Sequence, residues 1–413
     1  MHLYAKHPIL KIEQQVRRCI QVQLNNTTDL LQSKGIKTKK VTQTDEYVFI
    51  EAETEKIKEC PYCHSKKIWV HDNRYRTIKD TPIYGKKAVI HLKTTRYDCR
   101  HCGKRFTKET ELVPKKHTIS KRLKLTIIND LKESLSMSAI SRNLNVSINT
   151  VQRLVTFLKH PRNKLPKVLC IDEFKGDVKT GKYQCSILNG ENHSLTDIIK
   201  SRNSKDLTEY FGRIDKTEKE NVVYFISDMW EPYRSVKNTY FKNSTHIIDR
   251  YHFIRQVLWA LEDVRKKVQK NLEKKLRIYY KRSKSLLTKP RSKLKNDEIP
   301  KVTIMLENNK DLQLAYQLKE LFYEYVLIQP SKERAEIALN EWLRRAEKSG
   351  LKEFKRCLTS FKNWFDEITN SFEYPYTNGP LEGTHTKIKT LKRISYGFRN
   401  FDSFRNRIFL MCK

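Results

Sequence analysis

The chain has 413 residues, with 83 Lys and Arg against 47 Asp and Glu, a formal net charge of +36 and a hydrophobic fraction of 38%. At about 100 to 200 residues per domain the length predicts roughly two to four domains, and so large a positive excess predicts a polyanionic partner, because neutralising phosphates releases condensed counterions whatever the base sequence. No apolar run approaches the roughly 20 residues of a membrane span, and "MHLYAKHPILKIEQQVRR" lacks a signal-peptide core; a cytoplasmic protein is expected, whose nine cysteines favour metal over disulfides.

Residues 1–50 are weakly patterned, with a strand expected in "EYVFIEAE". Residues 51–108 are punctuated by cysteines. "CPYC" (Cys60, Cys63) and "CRHC" (Cys99, Cys102) form two C-x2-C pairs separated by thirty-five residues. That spacing lets two thiolates converge on one tetrahedral ion from each tight knuckle, and four thiolates leave no open position, so a structural Zn2+ is expected. The long interval requires one or two hairpins, in "KKIWVHDNRYRTIKD" and "KKAVIHLKTTRYDC". His64, His71, His91 and His101 are expected at the surface or against phosphate.

Residues 115–160 read as three helices with a helix-turn-helix at their end. Ser138 is the expected cap of "AISRNL" and Ser147 that of "INTVQRLVTFL". Ala139, Ile140, Leu144, Val146, Val151, Leu154 and Val155 fall where crossing helices pack. The last helix then exposes Asn149, Thr150, Gln152 and Arg153 near its N-terminus, the part that enters a major groove.

After the linker "HPRNKLP" come strand-length apolar runs, "KVLCIDEF", "KYQCSILN", "SLTDIIKS", "NVVYFISDM" and "STHIIDR", with the helical stretches "KDLTEYFGRI" and "EPYRSVKNTYF" between them. Strand and helix in alternation predict a mixed α/β sheet. Asp172 stands near the end of the first run and Asp228 just after the fourth. A buried strand that delivers a carboxylate needs a cation to meet it, and two such strands side by side make a seat for divalent ions. Glu173, Asp177, Glu231 and Asp249 are competing ligands. Asp249 and His252 in "DRYHF" sit at a strand-to-helix junction and are expected to orient or contact backbone; Trp230 and Trp259 are expected in the core. Residues 251–372 are helical in pattern, interrupted by "KRSKSLLTKPRSKLKNDEIPK" as a basic loop or disordered hairpin.

The last segment contains "NGPLEGTHTKIKTLKRISYGFRNF". Asn378 and Pro380 suit a helix start. At about 100° per residue Leu381, Ile388 and Leu391 form an apolar stripe, while Glu382, Thr386, Lys389 and Arg393 share another. An acid at the start and bases beyond it complement the helix dipole. With two acids on the sheet, Glu382 becomes the candidate third ligand of a two-metal site, and Lys387, Lys389, Lys392 and Arg393 a track for phosphates.

The order of Cys pairs, helix-turn-helix, "IDEF", "SDMW", "DRYHFI" and "NGPLEGTHTKIKTLKRISYGFRNFDSFRNRIF" resembles the bacterial insertion-sequence transposases of the ISL3 family, from about Glu51 to the C-terminus. The resemblance implies an RNase H-like catalytic domain from residues 166–250 and 373–413, interrupted by a helical insertion at 251–372, with Asp172, Asp228 and Glu382 as a DDE triad holding Mg2+ or Mn2+. It implies strand cleavage and transfer on double-stranded DNA, at terminal inverted repeats and at a target, by a homodimer or higher assembly on DNA in the bacterial cytoplasm, associated with the nucleoid. The fold class expected is thus α/β within an α+β whole. The alternative is a non-enzymatic zinc-containing helix-turn-helix regulator, which would bind DNA without metal-dependent nicking.

Overall fold

The computed structural model describes residues 20–22, 31, 33–158, 160–176 and 182–412; Asp177 and most of the first thirty-two residues lie outside them. The chain divides into two compact units. The first comprises Met1–Lys159 with Thr390–Tyr396 and Asp402–Met411, and the second His160–Lys389 with Gly397–Phe401 and Cys412–Lys413.

The first unit holds a sheet of β1 (Ile20–Val22), β2 (Ile36–Gln43), β3 (Tyr47–Thr54), β4 (Ile68–Ile83), β5 (Lys86–Cys99) and β6 (Arg105–Thr107). Its order is β1-β2-β3-β5-β4, with β6 on β5. The two expected hairpin segments pair with each other as one long hairpin, β4 antiparallel to β5. Tyr84 and Gly85, both at positive φ, make the two-residue turn, the backbone twist that matches twisted strands. Ile50, Ile78, Ile90 and Leu92 are fully buried in its core. The sheet therefore begins well before residue 51: β3 pairs with the free edge of β5 and β2 with β3, which adds the strands a lone hairpin needs for stability.

Three helices follow, Lys121–Asp130, Met137–Asn143 and Ile148–Phe157. Ser120 and Ser147 cap the first and third, each accepting from the amide three residues on. The middle helix is capped by Ser136, whose Oγ accepts from the Ala139 amide at 3.1 Å. The expected cap, Ser138, lies inside the helix, exposed. Ile140, Leu144, Val146, Val151 and Val155 share one core with Leu123, Ile127 and Leu410. The helix Phe401–Met411 packs here through Leu410. Arg407 is fully buried and its two terminal nitrogens donate to the carbonyls of Leu131, Glu133 and Leu135, which offsets much of the cost of burying the charge.

The second unit holds β7 (Val168–Lys175), β8 (Tyr183–Asn189), β9 (Leu195–Ile199), β10 (Tyr224–Ser227) and β11 (Thr245–Ile248) in the order β11-β10-β7-β8-β9. β7 is central, antiparallel to β8 and parallel to β10, and β10 is parallel to β11. One face, with Leu169, Ile171 and Phe225, packs on the helices Ser204–Gly212 and Glu231–Tyr240 through Leu207, Phe211, Tyr233 and Val236. The other, with Val168, Cys170, Ile226 and Ile247, receives Leu381. A central strand buried on both faces is what the unbroken apolar run of β7 requires.

A helical block follows, entered through the helix Arg250–Lys270, around a core containing Phe253, Phe322, Trp342 and Phe361. Its expected basic loop is largely ordered helix: Lys284–Thr288 and a 3-10 turn at Arg291–Lys293, anchored by fully buried Leu287. Trp259, expected in the core, is 40% exposed, and Trp230 is half-buried. No helix among the described residues is long and apolar enough to cross a membrane.

Candidate metal centres and nucleic-acid interface

Each cysteine pair sits on a tight knuckle. The amides of His64 and Gly103 donate back to the carbonyls of Cys60 and Cys99 at 3.0 and 2.9 Å, and both donors have positive φ. Gly103 takes that conformation without the steric cost a Cβ would bring. The hairpin then carries Cys99 to the knuckle that precedes β4, and all four sulfurs lie within 4.8 Å of one another. Cys60 to Cys102 is 3.7 Å and Cys63 to Cys99 3.6 Å. A tetrahedron with Zn–S bonds of about 2.3 Å has an edge of about 3.8 Å, so the donor set fits zinc. The amide of Cys102, followed by that of His101 and by neighbouring thiols, lowers the Cys99 thiol to about 6 against burial, which favours the thiolate that a metal needs. The histidines stand outside this group; His71 pairs with Asp98 at 2.8 Å.

A second cluster forms on the other sheet. Carboxylate oxygens of Asp172, Glu173 and Asp228 lie within 4.8 Å of one another. Asp172 is within β7, past the last residue of that strand that pairs with β10, and Asp228 directly follows β10. The two parallel strands thus release their acids at the same edge. Successive residues alternate faces, so Asp172 shares a side with Val168 and Cys170 and Glu173 with Leu169 and Ile171. Burial, then the charges of Glu173 and Asp228, push the Asp172 carboxyl well above the usual range. Burial, then Glu173, raise Asp228 to about 7, although Arg202 and Arg255 oppose the shift. Glu173 Oε1 accepts from Arg202 at 2.8 Å, whereas Glu173 Oε2 and Asp228 Oδ1 are buried with no hydrogen-bond partner. Orphaned carboxylate oxygens beside mutually repelling acids are a donor set suited to a hard divalent cation.

The helix Gly379–Ser395 approaches this seat. Leu381, Ile388 and Leu391 are buried, and Glu382, Thr386, Lys389 and Arg393 are exposed, as the two stripes predict. Glu382 is not among the gathered carboxylates. The side chain that reaches the sheet is His385, one turn on. Its Nε2 is 2.7 Å from Ser186 Oγ, the hydroxyl donates to the Asp172 carbonyl at 3.3 Å, and Nδ1 is 3.9 Å from Asp172 Oδ2. Burial lowers His385 to about 4, so the ring is neutral. Asn378, expected as a cap, is buried; its side chain donates to the Ile171 carbonyl at 3.3 Å and its amide to Asp249 Oδ1 at 3.1 Å. Asp249 therefore orients backbone, and His252 Nε2 lies 3.9 Å from its carboxylate.

Among the expected DNA contacts, Asn149, Gln152 and Arg153 are exposed on the third helix, while Thr150 is half-buried beside its cap Ser147 at 2.9 Å. Lys387, Lys389 and Arg393 are exposed, and Lys392 is half-buried. Sequence reasoning missed His385 and Ser186. A histidine three residues beyond Glu382 was visible in "GTHTK", but no helical period says that its stripe meets the sheet beside an acid.

Comparison with known proteins gives three family matches in the same order as these features. Residues 58–102 match the zinc-finger of transposase IS204/IS1001/IS1096/IS1165, residues 109–158 the helix-turn-helix domain of transposase family ISL3, and residues 169–408 the ISL3 DDE family described as transposase. The transposase for insertion sequence element IS1001 of Bordetella parapertussis is 22% identical over 361 residues, covering 85% of this chain and 88% of that protein. A protein of Lactococcus lactis subsp. lactis named as an ATP-dependent protease is 35% identical over 107 residues, only 26% of this chain and 32% of its own length.

Proposed function

Because the chain belongs to the ISL3 family of transposases, with a DDE family match over more than half its length, and is a DNA transposase rather than a non-enzymatic regulator, we propose that Asp172, Asp228 and Glu382 form its catalytic centre. The observation that carries this reading is the pair Asp172 and Asp228, delivered by adjacent parallel strands with an orphaned buried oxygen on Asp228. Strand order supports an RNase H-like core at residues 166–250: a central strand bearing the first acid, an antiparallel meander on one side, and parallel strands, the nearer leading to the second acid, on the other.

Divalent ions, Mg2+ or Mn2+, supply Lewis acidity at the attacking and leaving oxygens of phosphoryl transfer. Asp172 and Asp228 hold them, and Glu173 adds negative charge while Arg202 fixes one of its oxygens. Glu382 closes the site from a helix whose His385 already stands on Asp172. Cys60, Cys63, Cys99 and Cys102 hold a structural Zn2+. Asn149, Thr150, Gln152 and Arg153 read the terminal inverted repeats, and Lys387, Lys389, Lys392 and Arg393 follow phosphates. A dimer or higher assembly on double-stranded DNA, in the bacterial cytoplasm at the nucleoid, brings two ends together. The helical block of residues 251–372 separates the second acid from the third.

The test is Mg2+-dependent cleavage of DNA carrying the element's ends. Asp172→Ala and Glu382→Gln should each abolish cutting while binding persists, and Glu173→Gln should cost about tenfold or less. Full cutting by Asp172→Ala would sink the centre; full cutting by Glu382→Gln with none by Glu173→Gln would transfer the third role to Glu173.

A further inference from the structure

The helix Arg250–Lys270 buries Phe253, Val257, Ala260, Leu261 and Val264 in the helical core. Its opposite face should be polar, yet it shows Tyr251 at 51% and Trp259 at 40% exposure. Between them, each one turn away, lies Arg255, with its guanidinium 5.6 Å from the Tyr251 ring centre and 4.2 Å from that of Trp259. Spacings of four residues place the three groups along one side of the helix. Arg255 makes no ion pair among the described residues, in contrast with Lys266 of the same helix, which pairs with Asp263 at 2.9 Å.

The ladder begins at the carboxylate seat. The Asp249 amide, just before the helix, donates to the carbonyl of Ser227 at 3.1 Å, and Ser227 immediately precedes Asp228. Two exposed rings and a planar cation without an ion pair among the described residues therefore lead away from the acids proposed to hold the metal ions at the scissile phosphate.

We propose that Tyr251, Arg255 and Trp259 form a stacking platform for unpaired nucleobases of the DNA strand next to the cleavage point. Every base has a π-face, so rings and guanidinium receive it without sequence preference, and the guanidinium adds attraction for the backbone. The net charge of +36 makes DNA the complementary occupant. A second copy of this chain on the same aromatic face is the competing occupant.

This inference rests on the proposed catalytic centre, and one experiment separates their failures. The full-length protein is titrated with a blunt DNA duplex of about 20 base pairs and with the same duplex carrying about five unpaired nucleotides containing 2-aminopurine. Wild type should prefer the overhang about tenfold and change the 2-aminopurine fluorescence. Trp259→Ala and Arg255→Ala should remove the preference while leaving blunt-duplex affinity within about twofold, and Trp259→Phe should restore most of it. Asp228→Asn should keep the preference and lose metal-dependent cutting. An unchanged preference in Trp259→Ala overturns the platform even if wild type cuts DNA. Loss of self-association in Trp259→Ala, with the overhang preference intact, overturns it in favour of a second copy of the chain. A wild type that shows the preference but never cuts overturns the catalytic centre and leaves the platform standing.

Discussion

The four thiolates and the three carboxylates are each gathered within 4.8 Å, but they are gathered by different means. The thiolates come from two short knuckles, each closed by its own backbone hydrogen bonds, and a single long hairpin brings the knuckles together. Geometry is set locally, the distances already match one ion, and a backbone amide favours the thiolate at Cys99. The carboxylates come from β7 and the end of β10, fifty-six residues apart in sequence, counting from Asp172 to Asp228. Local compensation is partial: Arg202 holds one oxygen of Glu173 and the Glu173 amide donates to Asp172 Oδ1 at 2.7 Å, yet burial and neighbouring acids still raise Asp172 and Asp228, and one oxygen each of Glu173 and Asp228 is left without a donor. The thiols are not all relaxed, since against the Ser65 amide burial and the neighbouring thiols raise Cys63 to about 12, but their knuckles close locally, whereas the carboxylate cluster leaves buried oxygens without donors.

The largest effect that would break this contrast is at the thiolates. Cys99→Ser or chelation should release about one zinc ion per chain and destabilise the cysteine-bearing end of the hairpin by several kcal/mol or more, read as metal release and loss of cooperative melting. Retention of both zinc and melting temperature would remove the structural role.

A smaller effect, of opposite sign, is expected at the carboxylates. Asp228 has a folded value of about 7 against an ordinary 3.8. The protonated form is the one the metal-free fold prefers, so its contribution is full below about pH 4 and is lost as pH rises to about 7. Asp228→Asn should therefore stabilise metal-free protein at pH 8 by on the order of 2 kcal/mol and flatten that slope. Added Mg2+ or Mn2+ should stabilise wild type and not the variant. A variant less stable than wild type without metal at pH 8 would show that the carboxylate is not held under electrostatic stress.

The smallest effect sharpens how the seat is aligned. His385→Ala should lower cleavage about tenfold through loss of the Ser186 contact, about 1 to 2 kcal/mol, and His385→Asn, which keeps a donor, should recover part of it. If Asn and Ala behave alike in kcat and in divalent-ion affinity while folding is normal, the imidazole does not position Asp172.

Much of this was legible in advance where the signal is local. The C-x2-C pairs specify their own knuckles, and the five strand-length runs of the second sheet became β7 to β11, with the apolar run of β7 buried on both faces at the sheet's centre. The stripes of "LEGTHTKIKTLKR" likewise separated buried Leu381 and Ile388 from exposed Glu382 and Lys389. Errors arose where two local choices were nearly equal. Ser136 and Ser138 can both cap a helix, and Ser136 makes the bond to the third amide. Trp259 suggests a core because it is large and apolar, yet its neighbours Val257, Ala260 and Leu261 take the inward positions.

The sequence by itself determined the zinc knuckles, the helix-turn-helix, the strands that carry the first two acids and, through family resemblance, the transposase class. The knuckles, caps and strands depend on spacing within a few residues, where chain geometry leaves little choice, and the class on the order of motifs from about Glu51 to the C-terminus. Only the tertiary structure decided that Glu173 joins Asp172 and Asp228 while Glu382 stays outside, that His385 leans on Asp172, and that the helix Phe401–Met411 packs beside the helix-turn-helix. Those outcomes depend on which faces of distant segments meet. Periodicity reports that a face exists but not what lies against it.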